Sequence, residues 1–277
     1  MREPALEKAV SVDEFDGTGN RAAAAPAGAL LALPSAAPGV SLWWTDLAHP
    51  EDEVGRLAAW LSPAEHARAA RFGTDALRRK YIAGRATLRL LLGRALDIPP
   101  SAVPIRRGIR GRPELTDAAV VLDFNVAHTR GGAVVGIARD LPVGARIGVD
   151  VERRDRTVGA DRLARKFLAP GEQATLGGLD ADERRRRFLR YWTCKEAMSK
   201  ATGEGLLAPF RQLVVAIGDE LTLVAGPPPY TPAGWHLHAV AVPAGFLATV
   251  AVWDGGAEGA MPLLGRSVDD AGPRPYP

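Results

Sequence analysis

Three stretches of this chain recur in the same order about 110 residues further on, and no other feature limits its possible folds as strongly. Leu61-Ser62-Pro63-Ala64-Glu65 returns as Leu168-Ala169-Pro170-Gly171-Glu172. Tyr81, Arg85, Ala86 and Arg89 share their spacing with Trp192, Glu196, Ala197 and Lys200, each pair lying 111 positions apart. Gly132 to Ala138 parallels Gly245 to Ala251 at an offset of 113. Ordered matches at similar offsets imply an internal duplication. The expectation is an α+β fold of two pseudo-symmetric halves, each a small, mainly antiparallel sheet packed with a long helix. The halves are expected over residues 40–143 and 144–254, joined near Asp140 to Ile147. Residues 1–39 and 255–277 are rich in Gly, Pro or Ala without a sustained period, and read as a mobile N-terminal extension and a flexible tail.

Local signals fill in the halves. Ser62, Pro63 and Glu65 form the sequence of a capping box with proline at the first helical position. Asp75 to Leu96 carries Leu77, Tyr81, Leu88, Leu91 and Leu92 between arginines, the pattern of a long amphipathic helix. Val103 to Leu115 reads as a short strand and a basic loop. Val120 to Asn125 and Gly132 to Arg139 read as strands flanking a turn at His128. In the second half a helix ending at Gly203 and Gly205 precedes strands at Phe210 to Ile217, Leu221 to Ala225, Trp235 to Val242 and Gly245 to Trp253. With 277 residues, 47% hydrophobic and 24% charged, the chain can bury a sizeable core, and a net charge of +3 argues only weakly for acidic partners. Cys194 is the sole cysteine. An intrachain disulfide and a cysteine zinc cluster are thereby excluded, and a cytoplasmic location is expected. Nothing approaches the roughly 20 apolar residues of a membrane span.

Chemistry concentrates on two segments. Ile147-Gly-Val-Asp-Val-Glu152 reads as an apolar strand, and the two-residue period sends Asp150 and Glu152 out of the same face. On the later helix Trp192, Glu196 and Lys200 stack at i, i+4 and i+8, with Lys195 beside them. Two like charges on one face need a cation to relieve them, and three carboxylates suit a hard ion such as Mg²⁺. Read without further context, the same residues equally describe an acidic edge strand and a solvated helix. Arg184 to Arg187 can be a solvated helix start or a patch that speeds encounter with acidic partners.

Gly148-Val-Asp150-Val-Glu152, followed about forty residues later by Trp192-Thr-Cys-Lys195-Glu196-Ala197-Met-Ser-Lys200, resembles the paired signature of the Sfp-type 4′-phosphopantetheinyl transferases. Gly111-Arg112-Pro113 and Phe124-Asn-Val-Ala-His128-Thr129 extend the resemblance, which covers residues 40 to 254. It implies a magnesium-dependent transfer of the phosphopantetheine arm of coenzyme A to a serine of an acyl or peptidyl carrier protein, with release of adenosine 3′,5′-bisphosphate. It implies further that Asp150, Glu152 and Glu196 surround the metal, with Glu196 alternatively taking the serine proton. Lys195 and Lys200 would hold charge on the phosphates during catalysis, and His128 would contact a phosphate or, alternatively, act as a catalytic base. Ala127 replaces a common serine of the family, leaving Thr129 or backbone amides to compensate. Arg107, Arg110, Arg112 and Pro113 would clamp phosphate and adenine, and Arg68 would contact the nucleotide, whereas Arg85 and Arg89 fit structural roles. The length and the Trp-Lys-Glu-Ala form point to the monomeric, duplicated branch serving secondary metabolite synthases. Two rivals stand beside this reading: a non-catalytic basic protein binding acidic partners or nucleic acid, and a Mg²⁺-dependent phosphohydrolase. Scattered aromatics disfavour nucleic acid.

Overall fold

Apart from an added first strand, both halves of the chain run through the same series of elements, as a computed structural model describing residues 30–116, 122–157 and 159–255 shows. The first half contains β1 (Leu30–Leu33), β2 (Val40–Asp46), α1 (Glu51–Ala58), α2 (Pro63–Ala69), α3 (Asp75–Leu96), the hairpin β3 (Ile105–Arg107) and β4 (Pro113–Leu115), then β5 (Leu122–Thr129) and β6 (Gly132–Arg139). The second half follows with β7 (Arg146–Arg153), α4 (Ala160–Phe167), α5 (Pro170–Leu176), α6 (Ala181–Thr202), the hairpin β8 (Val214–Ile217) and β9 (Leu221–Ala225), then β10 (Trp235–Val240) and β11 (Phe246–Trp253). Antiparallel pairing gives the orders β1-β2-β6-β5 and β7-β11-β10-β9-β8. The triplet β2-β6-β5 thus corresponds to β7-β11-β10, and the expected duplicated α+β architecture is present.

Its register differs from the one read off the sequence. The two long helices start at Asp75 and Ala181 and both have 22 residues, an offset of 106 rather than 111. At that offset Arg89 corresponds to Lys195, not to Lys200. The side chains agree. Ser62 and Glu65 cap α2 reciprocally, and Glu65 then accepts from Arg89 at 2.6 Å. In the second half Glu172 accepts from the Ala169 amide at 2.8 Å and pairs with Lys195 at 2.6 Å. Each buried cation also donates to carbonyls that close the adjoining loop, Arg89 to those of Pro100, Ser101 and Val103, Lys195 to those of Phe167 and Phe210. A buried charge survives only when paired and fully bonded, and both sites meet that condition.

Strand β1 lies within the segment expected to be an extension without structure, and it pairs with β2 from Leu30↔Thr45 to Leu33↔Leu42. Its apolar residues cover an edge that would otherwise be open. The rest of that extension, residues 1–29, and the tail beyond Gly255 lie outside the described residues, as does the start of the strand expected from Val120. His128 sits inside β5, opposite Ala133, and not in a turn.

The halves meet along β5 and β7, where side chains replace a main-chain ladder. Asp123 accepts from the Ile147 amide at 2.7 Å and Asn125 from the Val149 amide at 3.0 Å. Behind this seam Leu42, Trp44, Val134, Ile147, Val149, Val151 and Val250 form one buried cluster drawn from both halves. Helix α6 lies directly on β7. A Cβ at Gly148 would stand 2.6 Å from the Ala201 nitrogen and 3.0 Å from the Ala197 carbonyl carbon, so only glycine admits the helix there. That contact places Glu196 and Lys200 over Asp150.

Candidate active site

Asp150 and Glu152 leave the same face of β7 and are nearly buried, at 6% and 7% exposure. Helix α6 brings Glu196, Lys200 and Trp192 over them. The Lys200 ammonium donates to Asp150 Oδ1 at 2.6 Å, while Arg156 pairs with Glu152, which also accepts a hydrogen bond from Trp192. Asp150 Oδ2 and Glu196 Oε1 are buried and have no partner among the described residues. Burial, then the charge of Asp150, pushes both Glu152 and Glu196 up to about 7, against the pull of Arg156 and Lys200. Burial acts to lower Lys200, but Asp150 and Glu196 outweigh it and hold the ammonium above its ordinary value. Three carboxyl groups thus share two cations, and their mutual repulsion is relieved near neutral pH by retained protons. Among the described residues no three or more His, Cys, Asp or Glu side chains are grouped so as to hold a metal ion by themselves, so a cation here would need ligands beyond the protein. An unpartnered pair of anionic oxygens with room for further ligands fits a hard divalent cation.

The facing wall comes from the first half. His128 reaches from β5 over α3, where a Cβ at Gly84 would meet its Nε2 at 3.0 Å. Desolvation by the surrounding protein and then the charges of Lys200 and Arg85 push the imidazole down to about 4. The residue keeps an exposed edge at the cleft, so solvent offsets part of that desolvation, and the two cations are the cause that holds. Its neutral form is the one present at pH 7. Beyond it Arg68 and Arg85 flank the Tyr81 ring, their guanidinium carbons 5.8 and 6.0 Å from its centroid. Arg85 shares Glu65 at 3.1 Å, yet Arg85 Nη1, Arg68 Nε and the Tyr81 hydroxyl are all buried without a partner among the described residues. Unpaired buried donors are costly, and a concentration of them beside two guanidinium groups marks a place for an anion.

The structure brings together Asp150, Glu152, Glu196, Lys200 and His128, with Arg68 on the same first-half wall. It places other expected residues elsewhere. Lys195 is fully buried on a core-facing stripe of α6 beside that of Glu196, its ammonium held by Glu172 and the carbonyls of Phe167 and Phe210 with no donor left for a phosphate. Arg112 is 7% exposed, and its fork is filled by Asp123 at 2.8 and 3.1 Å and by the carbonyls of Ile147 and Lys200 at 2.9 Å. It is a bracket between the halves rather than a phosphate clamp. Ala127 buries its methyl group in the shared core, which leaves only its backbone for a ligand. Thr129 ends β5, and Pro113 pairs with Arg107 across the small hairpin. Arg110 is 47% exposed at a left-handed position (φ 64°), 3.9 Å from Glu204. Arg85, read as structural, joins the site, whereas Arg89 does have the structural role expected of it. A glycine in mid-helix at Gly84, immediately before Arg85, was the available signal that something packs closely there.

Two family models match the chain. One, described as 4′-phosphopantetheinyl transferase superfamily, covers residues 146–247, and the other, described as 4′-phosphopantetheinyl transferase, N-terminal, covers residues 48–140. The break between them falls in the β6–β7 connection. The chain is 38% identical over 180 residues to the 4′-phosphopantetheinyl transferase HetI of a Nostoc species, spanning 64% of this chain and 74% of that protein. It is 34% identical over 157 residues to a putative 4′-phosphopantetheinyl transferase of Synechocystis, spanning 56% and 62%. A phosphopantetheinyl transferase of Thraustochytrium matches at 29% over 170 residues, spanning 57% and 58%.

Proposed function

Because the chain belongs to the 4′-phosphopantetheinyl transferase superfamily, we propose that this cleft carries out the transfer of the phosphopantetheine arm of coenzyme A to a serine of a carrier protein. In the reaction the serine oxygen bonds to the β-phosphorus, the bond to the bridging oxygen breaks, and adenosine 3′,5′-bisphosphate leaves. The observation that carries the reading is a carboxylate cluster with two unpartnered oxygens on one half facing unpartnered arginine and tyrosine donors on the other. A dianionic pyrophosphate and a nucleotide phosphate satisfy both at once.

Asp150, Glu152 and Glu196 are the groups that would hold a divalent ion, which we take to be Mg²⁺. When bound, such an ion neutralises charge on the pyrophosphate and on the departing phosphate. Lys200, already held by Asp150, has its ammonium in the same place and stabilises charge developing on the phosphoryl oxygens. Arg68 and Arg85 bind and orient the nucleotide end, and neutral His128 donates a hydrogen bond to a phosphate oxygen. In the alternative role Glu196, not ligating the ion, accepts the serine proton through its unpartnered oxygen.

We further read the chain as the duplicated branch, monomeric because each chain contains both halves of the cleft, and cytoplasmic. In support, no described helix is long and apolar enough to cross a membrane. The division into halves follows the β6–β7 connection, at residues 140–145. Intact-mass spectrometry of an apo carrier domain incubated with the protein, coenzyme A and Mg²⁺ tests the whole reading. The expected result is a gain of one phosphopantetheine that a chelator prevents. Loss of coenzyme A without an acceptor would instead establish a hydrolase.

A further inference from the structure

Of the four consecutive arginines near the start of α6, two are engaged by their neighbours and two are not. Arg184 donates to the carbonyls of Leu176 and Leu179, and Arg185 pairs with Asp182 at 2.9 Å. Arg186 and Arg187 instead line a cavity of about 250 Å³ together with Arg190, Glu183 and Ile217. Neither has a carboxylate partner among the described residues, and Arg187 donates only to the Ile217 carbonyl at 3.3 Å. The same holds for Arg154 nearby, which donates to the Phe246 carbonyl at 2.8 Å.

Arg190 is the telling member of this group. It is half-buried, and its Nη1 donates to the Ala248 carbonyl at 2.8 Å and to Thr249 Oγ1 at 3.1 Å, both neutral acceptors. The buried cations Arg89, Arg112 and Lys195 each face a carboxylate, of Glu65, Asp123 and Glu172, and Arg190 faces none among the described residues. Desolvation, and behind it the charge of Arg154, hold this guanidinium below its ordinary proton affinity, with only Cys194 acting the other way. A guanidinium kept partly out of water beside other cations is costly, and an anion would relieve it. Nε and Nη2 of Arg190 make no hydrogen bond among the described residues, which leaves two donors of its planar fork for a ligand. The lining offers no aromatic ring for a base to stack on, and one carboxylate, Glu183, against three guanidinium groups. That chemistry selects a compact anion of high charge, and a planar fork matches phosphate oxygens.

We propose that Arg186, Arg187 and Arg190 form a second anion site, apart from the cleft, that takes a compact phosphate anion such as pyrophosphate. It shares no residue with the wall of Arg68, Tyr81 and Arg85, and on α6 it lies more than a turn before Glu196 and Lys200. It does abut the strands beneath the helix, since Thr249, which accepts from Arg190, stands opposite Asp150 in the β7–β11 ladder. The site is independent of the transferase reading.

Arginine Nε–H nuclear magnetic resonance on the full chain reads the site directly, the Arg190 signal being identified by its loss in Arg190→Lys. Pyrophosphate is titrated against sodium chloride of equal ionic strength. The expected result is a saturable shift of the Arg190 signal that chloride does not produce. Its midpoint should rise at least tenfold in Arg186→Gln/Arg187→Gln and stay within twofold in Arg68→Gln, which removes a donor of the cleft. Arg186 is exposed and Arg187 half-buried, so the double variant should keep the parental Tm without anion. If it does not fold, Arg186→Gln alone should raise the midpoint at least threefold. No shift of the Arg190 signal, an equal shift with chloride, or a midpoint unmoved in the folded Arg186 variant would overturn the site.

Discussion

Gly148→Ala tests the contact on which the site's geometry depends. A Cβ there would lie 2.6 Å from the Ala201 nitrogen and closer still to the Ala197 carbonyl oxygen, where an ordinary contact begins at 3.4 Å. Both obstructing atoms belong to a helix backbone, so no rotamer change can relieve them. The Ala201 nitrogen alone asks helix α6 to retreat from β7 by about 0.8 Å and the nearer Ala197 oxygen asks for more, and overpacking of this kind costs roughly 1–3 kcal/mol. For a chain of this size that corresponds to a fall in Tm of roughly 3–10 °C. The functional cost should exceed the structural one. The Lys200–Asp150 hydrogen bond, now 2.6 Å, would lengthen beyond about 3.4 Å, and Glu196 would move with it. Misplacement of about 1 Å in a preorganised site costs on the order of a hundredfold in rate. Thermal unfolding followed by single-turnover transfer to a carrier measures both. A variant that folds with parental Tm and turns over normally would refute the claim that the glycine sets the helix-to-strand distance and, through it, the site.

Asp150→Ala should lose transfer by more than a hundredfold while Tm stays within a few degrees, since an anchoring charge is removed and little packing is lost; mass spectrometry and melting curves decide it. Lys195→Met should do the reverse. Leaving Glu172 buried without its cation costs about 3–5 kcal/mol, read in a denaturant titration, while kcat of the remaining folded fraction holds near the parental value. The pH dependence of stability follows from Glu152 and Glu196, both near 7 in the folded protein against an ordinary 4.5. Between those values the unfolded chain has released protons that the folded chain retains, so stability contributed by this pair declines as pH rises from about 4.5 to about 7. Glu196→Gln should flatten that decline in denaturant titrations at a series of pH values, and an unchanged slope would contradict the assignment.

The residues that differ from expectation show what a one-dimensional pattern can and cannot carry. Asp150, Glu152, Glu196 and Lys200 were legible because both periodicities, two in a strand and four in a helix, place them on stripes without reference to any neighbour. Lys195 was not, because adjacency to Glu196 says nothing about facing. It is four residues after Tyr191 and three before Met198, on the stripe that enters the core, and there the apolar neighbours outrank the charge. Arg112 failed for a related reason: its partner Asp123 and the carbonyls it binds come together only when β7 is laid beside β5. The repeat, finally, was found but set five residues out of register, since chance identities in two helices weighed more than function. Glu65 with Arg89 and Glu172 with Lys195 do the same work in each half, closing a loop onto a long helix with one buried ion pair. Arginine in one copy and lysine in the other hides that equivalence from a comparison of letters. The consequence is chemical. With the buried pairs aligned, Glu196 falls on the buried Leu90 and Lys200 on the exposed Arg94, so the carboxylates of the cleft belong to the second copy alone, while the unpaired donors of Arg68, Tyr81 and Arg85 belong to the first. Duplication supplied two matching scaffolds, and the asymmetric charge placed on them gives the cleft one end for a cation and another for a phosphate.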